Sequence, residues 1–88
     1  LSRQIAETIE RHTTFRAAVR GSASGYYLVP TGQGVQLFYY AASDSNVSDA
    51  VRQELFVERL EAVLARAFGP RRVSRCDYGG RKGFEIAL

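Results

Sequence analysis

Between Ser48 and Phe68 the apolar residues return with the period of an α-helix, and Gly69-Pro70 then forbids its continuation. At about 100° per residue, Phe56, Val57, Leu60, Val63, Leu64, Ala67 and Phe68 fall on one broad face. Ser48 is placed to cap the first amides, and Asp49 complements the positive helix end. A chain of 88 residues has room for one core only, so this face must be covered by the segments on either side.

Those segments read as strands. Gly25 to Pro30 and Gly34 to Ala42 are rich in Tyr, Val, Leu and Phe, and Thr31-Gly32-Gln33-Gly34 between them offers the positive-φ positions of a tight hairpin. Val35 to Tyr40 is nearly continuous in apolar character, as a central strand with contacts on both faces requires, whereas Pro30 belongs at a strand end or an edge. After the helix, Arg71 to Tyr78 and Gly83 to Leu88 form a second hairpin across Gly79-Gly80-Arg81-Lys82. Phe84, Ile86 and Leu88 alternate with Glu85 and Ala87, so their shared face is expected under the helix. Val73, Cys76 and Tyr78 do not alternate, which points to a bulge or an exposed edge.

The opening has two readings. Leu1, Ile5, Ile9 and Val19 share a helical face, but a continuous helix would place His12 and Arg16 on it too. The preferred alternative ends the helix near His12 and runs Thr13 to Arg20 as a strand, turning through Gly21 to Gly25. The expected fold is therefore one α+β domain over residues 1–88, a mainly antiparallel sheet of four or five strands with helix 48–68 packed on one face. The element order is α-βββ-α-ββ or α-ββ-α-ββ, and the second order consists of two αββ halves with the outline of a degenerate repeat. An α-βββ-α order resembles double-stranded-RNA binders. Those need a cationic start to the second helix, and Ser48-Asp49-Ala50-Val51-Arg52-Gln53-Glu54 excludes the identification.

Composition removes several classes of function. An apolar fraction of 45% with 24% charged residues is that of a folded globular protein. No apolar run approaches the roughly 18 residues of a membrane span, and no signal-peptide pattern precedes the first helix, so a soluble chain with no membrane partner is expected. Cys76 is the only cysteine, which rules out an internal disulfide and favours a reducing, cytoplasmic setting. Of the twelve basic residues only Lys82 is a lysine, a GC-rich habit that points to a bacterial source. A chain that begins at Leu1 and contains no Met is expected to be a fragment of a longer protein.

Catalysis needs converging groups, and no spacing brings the single His12, the single Cys76 and the scattered carboxylates together. A His12–Cys76 base and nucleophile pair lacks any recognisable setting. One His and one Cys cannot close a zinc site, and Asp44 and Asp49 lack the ligand set of a calcium loop. Asp44-Ser45-Asn46 reads instead as the turn into the Ser48 cap. Gly32-Gln33-Gly34 lies between strands, without the helix amino end that lets a glycine loop hold phosphate. No cofactor is implied.

Two surfaces carry the remaining signal. Val51, Leu55 and Ala62 form a second apolar stripe beside Arg52, Arg59 and Arg66, which a one-sided helix does not need. If the first helix leaves it bare, Val51, Leu55, Arg59 and Arg66 would meet a protein partner or a second copy, with the arginines against an acidic rim. The expected function is a non-catalytic protein-interaction or assembly module of a larger protein. The alternative is a nucleic-acid-binding domain using the hairpin cations Arg71, Arg72, Arg75, Arg81 and Lys82, with tyrosines as stacking platforms. A small-ligand domain with a pocket lined by Tyr and Phe is a third possibility without specific support.

Overall fold

The computed structural model describes residues 1–19, 24–41 and 47–88. Its elements are α1 (Ser2–His12), β1 (Ser24–Pro30), β2 (Gly34–Ala41), α2 (Val47–Phe68), β3 (Val73–Tyr78) and β4 (Arg81–Ala87). The four strands make one antiparallel sheet in the order β1-β2-β4-β3, so the two hairpins meet at their second strands. The fold is α+β with the order α-ββ-α-ββ.

Helix α1 turns Ile5 and Ile9 fully into the core and ends at a side chain rather than at Gly or Pro. Thr13 adopts an extended backbone and donates both its N–H and its Oγ1 to the Ile9 carbonyl, at 2.9 and 2.7 Å. Its Oγ1 also accepts the Phe15 N–H. Among the described residues, the expected strand from Thr13 to Arg20 is realised only as a parallel bridge pairing Ala17 with Tyr26. Phe15 is the reason: its ring packs edge-on against Phe56 of α2 at 5.0 Å. That contact draws the segment toward the helix instead of flat along β1. Of the expected turn through Gly21 to Gly25, Gly21 to Ala23 lie outside the described residues and Ser24 and Gly25 already belong to β1; the turn at Asp44 to Asn46 also lies outside the described residues.

The two hairpins reverse by different means. Gly32 and Gly34 do not take the expected positive φ. The first turn is organised by Thr31, whose N–H donates to the Gly34 carbonyl and whose Oγ1 accepts the N–H groups of Gln33 and Gly34. The left-handed positions belong to Gly69 after α2 and to Gly79 and Gly80 in the second hairpin, with φ of 90°, 59° and 82°. Two consecutive positive φ values between Tyr78 and Arg81 are what a two-residue reversal of twisted strands requires. No bulge interrupts β3, which pairs in unbroken register from Val73–Ile86 to Tyr78–Arg81, and its irregular pattern is that of an edge strand.

Helix α2 already includes Val47, so Ser48 lies within its range and not just before it. Phe56, Leu60 and Leu64 are fully buried with Val57 against Leu37, Phe84 and Ile86 of the sheet, as the helical period requires. The predicted face is too wide at its end: Val63 and Phe68 are half-buried and Ala67 is exposed. Leu88, expected beneath the helix, is 76% exposed: it follows the end of β4 and donates its N–H to the Gln33 carbonyl. Among the described residues both helices contribute to the core on one sheet face, and neither lies on the other face.

Candidate functional site

Helix α2 separates its charges by sign. Arg52, Arg59 and Arg66 recur every seven residues, just under two turns, and so stack along one flank of the buried face. Glu54 and Glu61 share the same spacing on the opposite flank. The acidic flank lies over the second hairpin. Glu61 takes a two-pronged hydrogen bond from Arg75, Nε and Nη2 each at 2.8 Å, and Glu54 takes one from the Lys82 ammonium. Both carboxyls are held below the usual carboxylate range, first by these hydrogen bonds.

The basic flank faces the end of α1. Between it and the segment after α1 runs a groove of about 590 Å³, lined by Thr14, Phe15, Arg16, Gly25, Tyr39, Arg52, Leu55 and Arg59. Arg11, His12 and Thr13 continue the wall past Arg59 and Val63, and His12 then faces Ala62, Arg66 and Ala67. The floor is apolar and aromatic: Tyr39 is buried, Phe15 half-buried and Leu55 exposed. Arg16 is steadied by the Thr13 and Phe15 carbonyls and by Glu10, whose carboxylate is 4.0 Å away. Arg52, Arg59 and Arg66 form no ion pair with a described residue. The structure thus brings Leu55 and Arg59 together in the groove and places Arg66 along its extension. Val51 is 53% exposed and stands outside the groove on the solvent side of α2.

The hairpin cations are not brought together. Arg75 and Lys82 point to the helix side and are taken up by α2, and the Lys82 N–H also donates to Gln53. Arg71 and Arg72 fall in the turn before β3, where Arg72 donates to the Ala87 carbonyl at 2.8 Å and lies over the Phe68 ring. Arg81 alone reaches the helix-free face, over the rings of both Tyr27 and Tyr40. Register explains why: Tyr27 pairs with Phe38 and Phe38 with Gly83, so these positions and Tyr78 share that face. Phe38 is only 3% exposed there, enclosed by the rings of Tyr27 and Tyr78.

Sequence reasoning did not find this aromatic cluster or the groove's second wall. The first emerges only with the strand register, which sets Phe38 opposite Gly83; a Cβ on Gly83 would meet the Leu37 carbonyl oxygen and come within 2.8 Å of the Phe38 ring. The second depends on the Phe15–Phe56 contact, which has no local signature. His12 lies at the groove and Cys76 on β3, where burial pushes the thiol pKa up and away from reactivity. Among the described residues no three His, Cys, Asp or Glu side chains are grouped to hold a metal. No helix among them is long and apolar enough to cross a membrane.

Comparison with family models, with curated proteins and with solved structures finds no match. The functional reading rests on the geometry.

Proposed function

We propose that this domain is a non-catalytic protein-interaction module of a larger, cytoplasmic, bacterial-type protein, and that it takes an acidic segment carrying apolar side chains in the groove beside α2. One observation carries the reading: an apolar floor of Phe15, Tyr39 and Leu55 is rimmed by Arg16, Arg52 and Arg59. Apolar contact supplies affinity in such a groove, and the arginines select a partner of opposite charge and speed its approach. A nucleic acid is less well suited to these surfaces. Four of the five hairpin cations are split between α2 carboxylates and the turn before β3, and the face of Arg81 retains a single cation of that set.

Selection from a random peptide library tests the reading. The expected consensus places Asp or Glu beside Leu, Ile or Phe, and Arg59→Glu or Leu55→Asp lowers affinity at least tenfold while Arg81→Ala leaves it unchanged. Peptides indifferent to both groove substitutions would overturn the proposal. Salt-sensitive binding of single-stranded DNA or RNA, lost on Arg71→Ala, Arg72→Ala and Arg81→Ala together, would replace it with the nucleic-acid reading.

A further inference from the structure

The two edges of the sheet are not equivalent. The outer edge of β1 is met by residues 16–18, through bonds from the Ala18 N–H to the Tyr26 carbonyl and from the Tyr26 N–H to the Arg16 carbonyl. Among the described residues no strand or bridge meets the outer edge of β3. The bond from the Ala87 N–H to the Arg72 carbonyl, 2.8 Å, fixes the alternation of this hairpin. Arg72, Ser74, Cys76 and Tyr78 turn their backbone groups toward β4, and Val73, Arg75 and Asp77 turn theirs outward.

A second strand can therefore bond only to Val73, Arg75 and Asp77, and if that strand is another β3 the registers are few. Opposing Arg75 to itself sets cation against cation, and opposing Asp77 to itself sets carboxylate against carboxylate. The register between them opposes Arg75 to Asp77 twice about a two-fold axis and places Cys76 opposite its own copy. The side chains are ready for this pairing. Glu61 uses Nε and Nη2 of Arg75, leaving Nη1 to donate. Asp77 accepts the Gly80 N–H at Oδ1 and forms no ion pair among the described residues.

We infer that the domain self-associates through β3, two copies joining their sheets antiparallel about a two-fold axis with Arg75 of each copy against Asp77 of the other. The surface is separate from the groove, so the inference does not rest on the function proposed above.

Sedimentation of the native chain and of two charge variants tests it. The native chain is expected to dimerise, and Asp77→Arg or Arg75→Asp alone should weaken the dimer roughly tenfold or more by opposing like charges twice. An equimolar mixture of the two variants should restore it, because every opposed pair is again of opposite sign. Cys76 gives a check that needs no substitution. In this register the two thiols sit at a non-hydrogen-bonded pair, where facing Cα atoms lie about 4.5 Å apart, within disulfide reach. Diamide should couple them, two thiols giving their hydrogens to the diazene to leave one disulfide and one hydrazine. A chain that sediments as a monomer in the high micromolar range, or a dimer that survives Asp77→Arg and yields no Cys76 disulfide, overturns the inference. Retention of peptide binding by monomeric Asp77→Arg would show that groove and edge act independently.

Discussion

Tyr26 joins the core to the groove wall. Its ring is 1% exposed, its hydroxyl donates to Glu10 at 2.7 Å, and its backbone holds the segment after α1. Burial, then the hydrogen bond and the charge of Glu10, raise its pKa above the ordinary tyrosine range. The folded state therefore keeps a proton that the unfolded chain releases at about pH 10. Stability should be unaffected below that pH and fall above it by up to about 1.4 kcal/mol per pH unit. Urea denaturation from pH 8 to 11 checks this, and Tyr26→Phe should flatten the alkaline fall while costing only about 1 kcal/mol at neutral pH, since Glu10 is open to water. Gly25 is required by closeness rather than by dihedral angle: a Cβ there would stand 2.5 Å from the Arg16 carbonyl oxygen. Gly25→Ala should cost about 1–3 kcal/mol and shift the ring resonances of Phe15, measurable by NMR.

On α2, adjacent residues serve different surfaces. Phe56 is fully buried between the rings of Phe15 and Tyr39, while Leu55 is 43% exposed at the groove. Phe56→Ala should cost about 3–5 kcal/mol in chemical denaturation. Leu55→Asp should change stability by less than about 0.5 kcal/mol and act on partner binding instead. The centre of the helix was legible in sequence because Phe56, Leu60 and Leu64 obey its period. Its margins were not: Ala67 and Leu88 fit the apolar pattern of their elements, yet both stay exposed. The same limit applies to the segment from Thr13. Its alternation matches a strand, yet the Phe15–Phe56 contact decides its path. The arginine column was legible as a seven-residue recurrence, whereas the hairpin cations read as one basic stripe because strand faces separate only once register is known.

The molecule as a whole is two α-ββ halves meeting along β2 and β4, with the helix-bearing face closed by a shared core and the two outer edges treated differently. The β1 edge ends in a short parallel contact of two backbone hydrogen bonds, and that contact also forms one wall of the groove. Two bonds and one aromatic contact give such a segment less local stability than β2, which is paired on both sides. Hydrogen exchange at the Ala18 amide should accordingly be faster than at the Leu37 amide in the free protein. A bound peptide that closes on Phe15 should slow it. The width of the groove would then be an equilibrium property, set by how often residues 14–18 detach from Tyr26. Part of the binding free energy would appear as protection of that amide, some distance along the chain from any arginine that touches the partner.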